Sequence, residues 1–142
     1  HRGRSARQRA EEALTAPEVR TALVVEDEAD IARIIGLALK LIGRWEIVTC
    51  HRADEVDAAI AARKPDVIML DRMLPGADGV DVCKRLKAHR DTAAIPIIFL
   101  SAKCTEDDRA EGLAAGAAGY IDKPFDPVEL ADRVQDILAQ NA

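Results

Sequence analysis

Five polar residues in this chain stand where short apolar runs end. Glu26 and Asp27 follow residues 22–25, Asp71 follows 67–70, Ser101 follows 95–100, and Lys123 lies just beyond 118–121. Brought together, they would make a reactive set. Three adjacent carboxylates repel one another, and one stays protonated unless a cation compensates them. A hard divalent cation with oxygen ligands does this, and Mg²⁺ typically takes one or two carboxylates together with phosphate and water. A hydroxyl (Ser101) and an ammonium (Lys123) are a hydrogen-bond donor and a point charge suited to phosphate oxygens. Carboxylate, metal, hydroxyl and amine together point to phosphoryl transfer onto a carboxylate, giving an acyl phosphate.

The elements that must position these groups can be read from hydrophobic periodicity. Strands are expected at 22–25, 45–49, 67–70, 95–100 and 118–121. Each is followed by a segment of helical spacing. Ile31, Ile34, Ile35, Ala38, Leu39 and Ile42 mark one face of the first helix, closed by Gly43. Further helices are expected at 53–63 (stopped before Pro65), 78–89, 105–115 and 126–140. Val82 and Leu86 point inward on the third, and Cys83 also faces the core. The fourth is Ala-rich with few large apolar anchors, and the fifth carries Leu130, Val134, Ile137 and Leu138 on one face. Strand–helix repeated five times, with continuous β-branched runs in the central strands, predicts an α/β fold. The expected form is a doubly wound, five-stranded parallel sheet of order 2-1-3-4-5, a flavodoxin-like (βα)5 arrangement. In such sheets ligands bind outside the carboxyl ends of the strands at the topological switch point. Strands 1 and 3 are neighbours there, so Glu26, Asp27 and Asp71 are expected to crowd into one pocket.

Bulk properties bound the alternatives. At 142 residues the chain fits one domain and can bury roughly 68–70% of its unfolded surface. With one Trp, one Tyr and two Phe, its core must be built from Ala, Val, Ile and Leu. The net charge is −5; the first 22 residues hold five Arg and three acids, a net of +2, so the remainder carries −7. An acidic body argues against direct binding of nucleic acid or an anionic membrane, and suits metal cations or basic partners. No apolar run approaches the ~20 residues needed to span a bilayer, and no apolar stretch follows the basic N-terminus as in a signal peptide. Cys50, Cys83 and Cys104 form no metal spacing and read as reduced thiols of a cytoplasmic protein. Residues 1–20 read as a terminal extension, a linker or the end of an upstream helix, with the main domain at 21–142. The chain opens on His1 rather than Met, which reads as the start of an excised piece.

Four segments carry a family resemblance: LVVEDE (23–28), DVIMLDRMLPGADG (66–79), FLSAK (99–103) and GYIDKPF (119–125). In this order and spacing they resemble the receiver domain of two-component response regulators, over about residues 21–140. The resemblance implies that Asp71 is the phosphoacceptor. It implies Mg²⁺ held by Glu26, Asp27, Asp71 and the backbone carbonyl of Met73. Ser101 would bond the phosphoryl group after the switch, and Lys123, preceding a cis Pro124, would pair with it. Tyr120 would be the aromatic that turns inward, changing the surface formed by the fourth helix, fifth strand and fifth helix. The phosphoryl donor would be a sensor histidine kinase or a phosphotransfer protein. The output would lie in a downstream protein or domain that the sequence leaves unknown. Catalysis would be confined to the protein's own phosphorylation and dephosphorylation.

Some positions depart from the family pattern. Ala118 and Gly119 stand where many receivers carry an acidic pair. Arg109, Glu129 and Arg133 match residues of the family's activated dimer, but an acidic partner for Arg133 is missing. Arg72 occupies a position that is often apolar. Met73 and Lys103 occupy positions that tune dephosphorylation.

Other readings remain beside this one. Residues 27–30 spell a helicase-like Asp-Glu-Ala-Asp, but no GxxxxGK[ST] loop accompanies them. A phosphatase with an Asp nucleophile often needs a second acid two residues on, where this chain has Met73. A phosphorylation-independent interaction module with a relic acidic pocket is the remaining alternative. His51 and His89 read as surface residues.

Overall fold

Apolar runs of four or five residues are too short for helices and too continuous for half-exposed strands, and they pair into one buried sheet. The computed structural model describes residues 5–8 and 20–141. Its elements run β1 (Thr21–Val25), α1 (Ala29–Leu41), β2 (Glu46–Cys50), a 3-10 turn (Ala53–Glu55), α2 (Val56–Ala62) and β3 (Val67–Leu70). They continue with α3 (Gly79–Ala88), β4 (Ile97–Ser101), α4 (Glu106–Ala114), β5 (Gly119–Asp122) and α5 (Pro127–Gln140). The five strands are all parallel in the order β2-β1-β3-β4-β5, as expected. The register aligns Val25 with both Cys50 and Leu70, Leu70 with Phe99, and Ser101 with Asp122. The carboxyl ends of β1, β3, β4 and β5 are thereby brought to one edge of the sheet.

Strand alternation divides the core into two layers. Leu23, Val25, Ile68, Leu70, Ile97 and Phe99 face Val56 of α2 and Val80, Cys83 and Leu86 of α3. Ala22, Val24, Val67, Met69, Ile98, Leu100 and Ile121 face Ile35, Ala38 and Leu39 of α1 and Leu130, Ala131 and Val134 of α5. Helices on both faces explain why the central strands carry no polar alternation. The helix starts follow local capping: the side chains of Asp78, Thr105 and Asp126 accept from the amides of Val80, Asp108 and Val128. Three helices therefore begin one residue later than their periodicity suggests.

Three further expectations need correction. The second helix does not begin at Ala53; its first turn is a 3-10 segment, and the α-helix runs from Val56. The fourth strand begins at Ile97 rather than Ile95, because Pro96 has no amide to donate, although its carbonyl accepts from Ile68. On α1 the buried face is Ala32, Ile35, Gly36, Ala38 and Leu39, while Ile34 and Ile42 are 44% and 46% exposed. Small residues decide this. A Cβ on Gly36 would already lie 3.3 Å from Ile47, so the helix packs closely there and turns its larger flanking side chains outward. Of the expected extension, the structure describes only residues 5–8 and Arg20. The Arg20 guanidinium lies 4.1 Å from the Trp45 ring centre and donates to Gln135 at 3.0 Å.

The loop after β3 is the tightest part of the scaffold. Met73–Leu74 pairs with Ala77–Asp78 in a short antiparallel ladder, turned at Gly76 with φ +69°. The Gly79 amide donates to the Arg72 carbonyl at 2.6 Å, and a Cβ on Gly79 would lie 2.6 Å from the Asp71 carbonyl oxygen. Gly79→Ala is expected to destabilise the fold by about 1–3 kcal/mol, as overpacking typically does. Urea unfolding checks this, and an unchanged midpoint would show that the loop yields freely.

Candidate functional site

Continuation of the sheet's hydrogen bonding places the polar residues. The Glu26 amide donates to Cys50 O and the Asp71 amide to Val25 O, each at 3.0 Å, and the Lys123 amide donates to Ser101 O at 2.9 Å. These bonds extend three ladders by one step beyond the apolar strands. The side chains of Glu26, Asp71 and Lys123 consequently converge. Glu26 is 1% and Asp71 7% exposed, whereas Asp27 is exposed at the rim. One carboxylate oxygen from each of the three acids lies within 4.8 Å of the others. A cleft of about 620 Å³ opens beside them, lined in part by Asp27, Asp71, Met73 and Lys123.

Lys123 Nζ bridges the buried acids, donating to Glu26 Oε1 and, at 3.0 Å, to Asp71 Oδ2. Asp71 Oδ1 accepts from the Met73 amide at 3.0 Å, and Glu26 Oε2 accepts from the Glu28 amide at 3.2 Å. Burial pushes the Glu26 carboxyl up to about 7, and the Asp71 charge adds to this against the opposing hydrogen bond from Lys123. Burial lowers the Lys123 ammonium, but its hydrogen bonds and charge interactions with Glu26 and Asp71 outweigh that and leave it raised. The set is therefore a compensated charge cluster, two buried acids bridged by one ammonium.

Ser101 is fully buried, and its hydroxyl accepts from the Lys103 amide at 3.1 Å. The Lys123–Pro124 peptide is cis. Tyr120 is buried, with its ring centre 5.4 Å from that of Phe99 and its hydroxyl donating to the Lys103 carbonyl. The ring thus already occupies an inward position. It rests on α4 at Gly112, where a Cβ would lie 2.9 Å from two ring carbons. Arg109 pairs with Asp122 of its own chain. The Met73 side chain is exposed, and its amide is tied to Asp71.

Two residues at the site's border escaped the sequence reading. His51, expected only at the surface, places Nδ1 2.9 Å from the Glu26 carbonyl. It follows β2, and a strand-end position was the only available signal. Arg72 is 4% exposed and lies under α4. Cys104 Sγ donates to the Ser101 carbonyl at 2.8 Å, while burial pushes the Cys50 thiol up to about 11 and also raises that of Cys83.

Glu26 generates a pH prediction. Its folded-state value of about 7 exceeds the ordinary 4.5, so the folded state binds more protons between those values. Its contribution to stability is present in full below about 4.5 and is lost as pH rises through about 7. The unfolding midpoint of the wild type should therefore fall, relative to Glu26→Gln, as pH is raised across this window in a chelating buffer. Parallel pH curves for the two proteins would contradict the assignment.

Comparison with known proteins places this geometry. A family model described as the response regulator receiver domain matches residues 22–135. The phosphate regulon transcriptional regulatory protein PhoB of Pseudomonas aeruginosa is 44% identical over 119 residues, covering 84% of this chain and 52% of that protein. Its counterpart from Rhizobium meliloti is 41% identical over 115 residues, covering 81% and 50%. The chain thus spans about half the length of these curated relatives. Among solved structures, the chemotaxis response regulator CheY4 of Vibrio cholerae superposes with a TM-score of 0.77 at 27% identity, covering 84% of this chain and 98% of that one. The family model, the relatives and the shared five-stranded fold agree, and this chain belongs to the response regulator receiver domain family.

Proposed function

We propose that this domain is a phosphorylation-activated signalling switch in which Asp71 accepts a phosphoryl group. The observation that carries this reading is the convergence of Glu26, Asp27, Asp71 and Lys123 at the carboxyl edge of the sheet, with Ser101 buried at the end of the neighbouring strand β4. The cluster is an all-oxygen donor set of the kind Mg²⁺ prefers, with carboxylates close enough to share one ion. Glu26, Asp27 and Asp71 would hold it, with the Met73 carbonyl, and it would supply charge compensation for the transferring phosphoryl oxygens.

The protein's own residues account for the remaining steps. The Met73 amide and Lys123 orient the Asp71 carboxylate. One carboxylate oxygen attacks the phosphorus of a phosphohistidine on a histidine kinase or phosphotransfer protein. The P–N bond breaks, and its electron pair leaves with the imidazole. The product adds about −1.5 to −2 charge and three acceptor oxygens, as phosphorylation generally does. Lys123 then exchanges part of its pairing with Glu26 for the phosphoryl oxygens, and the Ser101 hydroxyl donates to them. Release of the Ser101–Lys103 contact is relayed to Tyr120, because Tyr120 bonds the carbonyl of the same Lys103. The surface of α4, β5 and α5 is the output face. Among the described residues no helix is long and apolar enough to cross a membrane, which fits a site of action in the cytoplasm.

Asp27→Ala should weaken Mg²⁺ binding at least tenfold in a calorimetric titration while leaving the unfolding midpoint nearly unchanged, because Asp27 is exposed. An unaltered magnesium isotherm would remove the acidic cluster from metal binding. Lys123→Ala should still accept phosphate but lose the accompanying change at the α4–β5–α5 face, read by amide exchange.

A further inference from the structure

Arg72 is the most deeply buried cation among the described residues, and no step above uses its side chain. It follows the phosphoacceptor directly, yet its guanidinium reaches across to α4. Nη1 donates to the Asp108 carbonyl at 3.0 Å and lies 3.7 Å from the Asp108 carboxylate. Nη2 pairs with Glu111, one turn further along the helix. Nε has no hydrogen-bond partner and lies 3.6 Å from the Asp78 carboxylate, on the near side of the same loop. One cation thus joins two elements through three carboxylates and a backbone carbonyl.

The rest of α4 is thinly attached. Gly112 is its one buried residue, and Leu113 is 49% exposed. A helix with so little apolar burial draws little stability from packing. The base of the contact is firm by comparison: the Asp71 amide is bonded to β1, and the Arg72 carbonyl to Gly79, where no side chain fits. Of the two joined elements, α4 is the one free to move.

We propose that Arg72 is a positioning residue, an ionic clasp that holds α4 in register with the phosphoacceptor loop through Asp108 and Glu111. It gives the domain a second connection from the Asp71 segment to α4, separate from the path through Ser101 and Tyr120. Its partners explain a basic residue at this position: Asp108 and Glu111 on α4 and Asp78 at the loop's end lie within its reach. This inference rests on the reading of Asp71 as phosphoacceptor for its link to signalling, but the clasp is tested apart from it.

The test is amide hydrogen exchange of residues 106–114 in the wild type, Arg72→Met, Arg72→Lys and Glu111→Gln. Phosphoryl uptake from acetyl phosphate is followed on the same samples. Without phosphodonor, exchange in α4 should be at least tenfold faster in Arg72→Met and severalfold faster in Glu111→Gln. Arg72→Lys, which keeps the charge but not the forked reach, should be intermediate, and exchange in β3 and β4 should be unchanged throughout. Wild-type exchange rates in α4 of both Arg72→Met and Glu111→Gln would overturn the clasp. Should Arg72→Met loosen the sheet as well, Glu111→Gln decides alone, since the Glu111 side chain is half exposed and the change leaves its size nearly the same. Failure of phosphoryl uptake in the wild type would count against the phosphoacceptor reading, while the exchange rates would still decide the clasp.

Discussion

Like charges held at a few ångströms are the constraint around which this domain is arranged. Glu26, Asp27 and Asp71 present oxygens within 4.8 Å of one another, two of them from nearly water-free positions. Such an arrangement is stable only with positive charge among the acids or a proton on one of them. Lys123 supplies that charge in the structure, and its reach depends on β5 lying on the same side of β1 as β3 and β4, with only those two strands between. The parallel order 2-1-3-4-5 is therefore more than a packing solution: it brings an ammonium from one end of the chain to carboxylates from the other. A site held by balanced charge responds to any change in that balance, and an added phosphoryl group is a large one.

Much of this was legible in the sequence because strand ends are visible there. An apolar run buried on both faces must stop where the chain reaches solvent, so the polar residue that ends it is placed at the sheet's edge by the pattern itself. Glu26, Asp71 and Ser101 were found in this way. Lys123, just beyond the fifth run, was placed in the same way, and the sheet order was needed to show that the ends of strands 1 and 3 meet. The α1 face was misjudged at Ile34 and Ile42 because periodicity weighs large side chains and ignores small ones. Ala32 and Gly36 form the contact, and close approach turns the isoleucines outward. His51 and Arg72 were beyond reach for another reason: their roles come from contacts with the Glu26 carbonyl and the Asp108 carbonyl, which no side-chain pattern encodes.

The distribution of stability follows the same logic. Strands β1, β3, β4 and β5 and the faces of α1, α3 and α5 hold most of the buried apolar residues, whereas α4 is held largely by polar contacts and by the Tyr120 ring seated on Gly112. The proposed switch would need one face that can change while the acidic pocket stays fixed. Placing α4 on ionic and aromatic contacts, beside a sheet that is fully packed, separates the two requirements.

The proposed switch stands on Asp71 taking up a phosphoryl group with the help of the acidic cluster. Intact-mass spectrometry after incubation with acetyl phosphate, with and without Mg²⁺, on the wild type and Asp71→Asn tests it most directly. A magnesium-dependent gain of one phosphoryl group is expected in the wild type and none in Asp71→Asn. An equal gain in both proteins, or none in the wild type with Mg²⁺ present and from a phosphorylated kinase partner as donor, would contradict it.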